Sequence, residues 1–259
     1  ANAFLLGGKE SREKKNEILD SVDYAYSIIS DFGEVAKIAK EKGVEGLHRV
    51  HIRLGKPIQV MLGLAAEKVE DVVKEFGKVA VEVKYDGMRA QIHKKGKEIW
   101  VFTRRLEDVT KQFPDVVELC EKALKIHECI VEGEVLGINK KTGEPMPFQN
   151  LSQRIQRKYD IEKTVKEIPV QLNLFDVIYV DGEFLTDKKF EERRKILEKI
   201  VKPIPDKIRL AKQIATNDVK EIDKFYKEAL KAKQEGIMLK VLDSPYVFGR
   251  HVGGWYKYK

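Results

Sequence analysis

Apolar residues near the start of the chain recur at three- and four-residue intervals. Ile18, Val22, Ala25 and Ile29 make one face, which predicts an amphipathic helix within residues 10 to 50. Phe32-Gly33 breaks that helix, and Val35, Ile38 and Ala39 start a second, short one that Gly43 ends. Leu54-Gly55-Lys56-Pro57 then interrupts the pattern. From about residue 79 onward, short alternating strands mix with amphipathic helices, so the class is α+β. The expected boundary lies near residue 55. Residues 1–54 form a short all-helical piece with little core of its own, and 55–259 form the larger domain.

The strand-like segments share a pattern of period two. In Val79–Asp86 the three valines 79, 81 and 83 point one way, and Glu82, Lys84 and Asp86 point the other. Glu132 and Glu134 share a face in the segment around Val131. Met238 and Lys240 oppose Ile237, Leu239 and Val241, while Trp255, Lys257 and Lys259 oppose Tyr256 and Tyr258. Any one such strand fits a sheet with one solvated face. Four of them together predict a charged cleft.

Composition narrows the class. The chain has 259 residues, 42% hydrophobic, enough for a substantial core. No apolar run approaches the roughly 20 residues of a membrane helix. Two cysteines, Cys120 and Cys129, are too few for a disulfide framework or a cysteine-rich metal site. A soluble protein of a reducing compartment is expected, cytoplasmic, or nuclear in a eukaryote. Lys plus Arg number 49 against 42 Asp plus Glu, a net +7 that favours polyanionic partners.

Lys84-Tyr85-Asp86-Gly87-Met88-Arg89 carries the sharpest chemistry: a lysine at a strand end, an Asp-Gly turn, then an arginine. It suits a nucleophilic amine beside phosphate-binding groups. It resembles motif I (K-x-D-G-x-R) of the covalent nucleotidyltransferases, the ATP-dependent DNA ligases and mRNA capping enzymes. The rest follows in family order. Phe102–Asp108 and Phe113-Pro114-Asp115 resemble the F-[ST]-R-x-x-E-D segment and its helix start. Val131–Glu134 resembles motif III, and Pro147-Phe148-Gln149 with the basic stretch 154–158 resembles the segment after it. Leu174–Tyr179 resembles motif IIIa, Glu235–Lys240 motif IV and Trp255–Lys259 motif V. The likeness is strongest to the archaeal and eukaryotic replicative DNA ligases. It covers nearly everything from Pro57 onward, and residues 31–36 resemble the end of that family's helical DNA-binding domain.

The resemblance implies a nucleotidyltransferase domain of mainly antiparallel sheets flanked by helices, and a role for each matched residue. Lys84 would attack the α-phosphate of ATP and become covalent Lys-AMP. Glu82 would accept a hydrogen bond from the adenine amine, since a carboxylate only accepts. Phe175 would stack on adenine, and Arg89 and Arg104 would hold ribose and phosphate oxygens. Glu134 would bind the ribose hydroxyls or help hold a metal, and Glu235 would be a second carboxylate for Mg2+. Lys240 and Lys257, with Lys259, would meet the α-phosphate and favour the free amine of Lys84. Arg250 would reach the nucleotide phosphates or the nick.

AMP would pass to the 5′-phosphate of nicked double-stranded DNA, gripped through phosphates without sequence preference. A replication clamp would be a further partner. The family's following OB-fold domain with motif VI has no counterpart here, so a fragment that seals poorly is expected. A capping enzyme or RNA ligase would share the motif I and IV lysines. A non-catalytic DNA-binding module would keep the fold without binding ATP.

Overall fold

The computed structural model describes Leu5, residues 11–249 and residues 254–259. The described chain divides into two compact units, one running to Met61 and including Phe248 and Gly249, the other beginning at Leu62.

In the first unit, α1 (Arg12–Ile29) is capped by Ser11, whose hydroxyl accepts from the Lys14 amide at 3.3 Å. It ends at Ser30, which turns left-handed with φ 55°. Asp31 caps α2 (Phe32–His48), accepting from the Glu34 amide at 3.0 Å. The break at residues 30–31 is close to where the periodicity put it. The stop at Gly43 is corrected. Gly43 adopts φ 64° and kinks α2, and helical structure resumes to His48 because Leu47 is drawn into the core with Ala25, Val35 and Ala39.

The second unit holds two sheets. One runs β1 (Leu64–Ala65), β11 (Trp255–Tyr258), β10 (Gly236–Val241), β2 (Val79–Lys84), β9 (Gln213–Thr216). The other runs β4 (Glu98–Thr103), β3 (Met88–Lys95), β5 (Glu128–Gly137), β6 (Val170–Val180), β7 (Glu183–Phe184), with β8 (Ile208–Leu210) beside β6. Pairing is antiparallel except for β1 with β11 and β6 with β8.

Each sheet buries an apolar face under helices. Val79, Val81, Ile237 and Leu239 pack against α3 (Val69–Phe76) and α8 (Val219–Lys231) through Val69, Val72, Ile222 and Phe225. Ala90, Ile92, Val131 and Leu172 of the other sheet pack with α4 (Pro114–Ala123), α5 (Phe148–Ile155) and α7 (Phe190–Ile200). Pro114 takes the first turn of α4, where its missing N–H costs nothing. The short helix α6 (Ile161–Glu167) follows α5.

The opposite faces, polar in sequence, turn toward each other. Lys240 of one sheet lies 4.5 Å from the ring of Phe175 in the other, and Phe175 meets Trp255 edge-on at 5.9 Å. Glu82, Glu132 and Lys240 are therefore buried rather than solvated. That inter-sheet layer opens as a cleft where β2 ends.

Candidate active site

Lys84 closes β2, directly opposite Gly236 of β10. The amide of Glu235 donates to the Lys84 carbonyl at 3.0 Å, so strand pairing itself sets the two side chains together. The Lys84 ammonium donates to the Glu235 carboxylate, which Lys259 also reaches at 2.5 Å. Two glycines allow the close backbone approach. A Cβ on Gly236, where φ is 147°, would lie 2.2 Å from the Tyr258 carbonyl, and one on Gly87 would lie 2.4 Å from that of Val135. The turn after Lys84 is fastened from behind. The Asp86 amide donates to Gln234 Oε1 at 3.1 Å, and the Tyr85 hydroxyl accepts from the Lys212 amide at 3.2 Å.

The cleft has a volume of about 700 Å³, within the usual range for small-molecule sites. Lys84, Asp86, Arg89, Arg104, Glu134, Phe175, Glu235 and Lys257 all line it. The sequence singled out seven of these eight as site residues, and gave Asp86 no role of its own. Arg104 is exposed, Lys257 is half-buried, and Lys259 is exposed. Arg250 lies outside the described residues.

Charge is unevenly distributed over this surface. Burial pushes the Glu134 carboxyl up to about 8, against the pull of Arg89 and Lys84, with Glu235 and Asp86 adding to the rise. Burial acts the same way on Glu235, but there Lys259 and Lys84 prevail and hold it below the usual carboxylate range. Arg89 donates to Glu132 at 2.8 Å, with its guanidinium 5.5 Å from the Phe175 ring and 5.4 Å from that of Trp255. Tyr246 donates to the same Glu132 oxygen at 2.9 Å. Burial works against the arginine's charge, and Glu132 more than offsets it.

Lys240 also lines the cleft, from within the inter-sheet layer. It is 2% exposed, with its ammonium 2.6 Å from Glu82 and 4.2 Å from the Trp255 ring. Burial lowers its pKa, opposed by Glu82 and Asp176. An ammonium expected at a phosphate is thus already engaged by a carboxylate inside the layer. Glu82 lines the cleft too, and also accepts from Gln213 Nε2 at 2.8 Å, with Arg194 3.6 Å away. Gln213 and Arg194 belong to no motif and carry no periodic signal. Only the pairing of β9 with β2, which sets Gln213 opposite Glu82, brings the glutamine there.

Among the described residues, no group of three or more His, Cys, Asp or Glu side chains is arranged to hold a metal. Glu134 and Glu235 nonetheless face one cleft.

This arrangement has known relatives. The family profile described as ATP dependent DNA ligase domain matches residues 60–259. The chain belongs to that family. A DNA ligase of Nanoarchaeum equitans is 49% identical over 93% of this chain, and one of Thermococcus onnurineus 47% identical over 92%. In each case the chain spans 42% of the relative's length. The fold is shared with Chlorella virus DNA ligase–adenylate, at a TM-score of 0.57 and 20% identity over 78% of this chain and 68% of that one. It is shared also with mycobacterial DNA ligase D in complex with ATP and MES, at a TM-score of 0.54 and 21% identity over 76% and 59%. The ligase-domain α+β fold expected from the motifs is the one observed. Among the described residues, no helix is long and apolar enough to cross a membrane.

Proposed function

We propose that the cleft binds ATP and that Lys84 is the nucleophile of an adenylyl transfer. The observation that carries this reading is the meeting of Lys84, Glu134, Glu235, Arg89 and Phe175 around one cleft of nucleotide size in a chain of the ligase family. Phe175 offers a ring face for adenine, Glu82 an acceptor for its amine, and Arg89 and Arg104 donors for ribose and phosphate oxygens. Lys257 lies on β11 beside β10 and Lys259 directly follows that strand, where they neutralise charge at the α-phosphate.

In the reaction the Lys84 ammonium leaves Glu235 and gives one proton to water to become the free amine, and its nitrogen gives a second proton to water once the new bond has formed. Its lone pair forms an N–P bond at the α-phosphorus while the bond to the β-phosphate oxygen breaks, and pyrophosphate departs with that electron pair. AMP then passes to the 5′-phosphate of nicked DNA, and the 3′-hydroxyl displaces it to seal the strand. The name of the relatives, DNA ligase, supports DNA as the acceptor. The excess of lysine and arginine fits that polyanion.

The carboxylates suit a magnesium ion. Glu134 lacks a partner strong enough to keep it ionised, and Glu235 stands across the same cleft, a pair of oxygen donors to be completed by water and phosphate. Bound there, Mg2+ would supply positive charge against the phosphates.

The test is incubation with ATP and magnesium followed by intact mass measurement under denaturing conditions. The wild-type chain gains one AMP, and Lys84→Ala gains none while still binding ATP. An equal gain in Lys84→Ala would refute the assignment.

A further inference from the structure

Glu82 is 2% exposed, yet it forms part of the cleft wall. One of its oxygens lies 2.6 Å from the Lys240 ammonium. The other accepts from the Gln213 amide at 2.8 Å and lies 3.6 Å from Arg194. These partners come from three separate elements: β10, β9 and α7. A buried ion pair is weak evidence for stability, because an apolar pair of similar volume often serves as well. One hydrogen-bond donor and two cations around a single carboxylate in a binding wall call for another account.

We infer that Gln213 is a positioning residue which, with Lys240 and Arg194, fixes the orientation of the Glu82 carboxylate and so selects adenine against bases bearing a carbonyl in place of its amine. The inference rests on the reading above, in which Glu82 faces the base. An ionised carboxylate accepts hydrogen bonds and donates none. It pairs with an exocyclic amine and repels a carbonyl oxygen. A protonated or rotated carboxyl loses that contrast, since its O–H can donate to the carbonyl. Partners that hold the angle of Glu82 therefore set the selectivity, although Gln213 itself does not line the cleft.

Gln213 is the informative position. Its amide reaches Glu82 as a neutral donor from the strand paired with β2. Gln213→Glu sets a second carboxyl against the first, and two such groups share a proton. Gln213→Met keeps the length and removes the donor.

AMP and IMP are the probes, because they differ only along one edge of the base, an amine at C6 with a bare N1 against a carbonyl with an N1 proton, and neither can adenylylate the enzyme. Calorimetric titration of the whole chain should give AMP a preference on the order of a hundredfold in the wild type. The preference should fall to about tenfold or less in Gln213→Glu, by weaker AMP and stronger IMP binding, and by a smaller factor in Gln213→Met. A structural role alone would weaken both nucleotides equally. An unchanged ratio in whichever variants keep the wild-type urea midpoint overturns the inference. A wild type that binds both nucleotides equally instead overturns the reading that Glu82 meets adenine, and a wild type that binds neither overturns the nucleotide site.

Discussion

At Glu134 the surroundings reverse the ordinary state of a carboxyl. Burial raises its pKa from 4.5 to about 8, so the folded protein holds a proton there that the unfolded chain releases. Stability from this group is full below about 4.5 and is lost as pH rises toward 8, because the unfolded state binds fewer protons in that window. Glu134→Gln cannot ionise. Its melting temperature should therefore gain on that of the wild type as pH is raised from 5 to 8, and a constant difference would argue against a half-buried, protonated Glu134. Motif spacing marked Lys84, Glu134, Phe175 and Glu235, and the structure brings these four to one cleft. The spacing did not reveal that Lys240 is enclosed by Glu82 and aromatic rings, nor that Glu132 and Tyr246 hold Arg89. Those partners lie far apart in sequence and meet only by sheet packing.

Elements are held in register around Lys84 by close backbone contacts. Gly87→Ala would press a methyl group against the Val135 carbonyl and the Leu136 side chain. It should cost about 1–3 kcal/mol in urea unfolding, and no loss would mean the β2–β3 turn has slack. Helix α7 is tied to β6 by the bidentate Arg193–Asp176 pair, at 2.9 and 3.0 Å, with both side chains fully buried. Arg193→Ala strands Asp176 as an unpaired charge beside Phe175 and should lower stability by about 3–5 kcal/mol, measured the same way. A loss below 1 kcal/mol would show that Asp176 finds another partner. The helical and strand periods were readable, and so was Pro114 as a helix start. Gly43 misled, because a positive φ looks like a terminus in sequence while Leu47 continues the helix into the core. The two-residue strands β1 and β7 were too short to leave a pattern.

At the scale of the whole molecule, four strands with charged faces predicted a cleft, and two sheets meeting on those faces provide it. How much of the charge is buried was not visible, because alternation in one strand looks the same whether its polar face meets water or a second sheet. The remaining lysines and arginines lie mostly on the surface. If they grip nicked DNA, affinity should fall at least tenfold between 50 and 200 mM salt, about equally for unrelated sequences. A salt-independent affinity would exclude a phosphate grip. The central claim is that Lys84 takes the adenylyl group. Its most direct test is peptide mapping after incubation with α-labelled ATP and magnesium. The account predicts AMP on the peptide bearing Lys84, joined through nitrogen and released when pyrophosphate is added back; label on any other residue would contradict it.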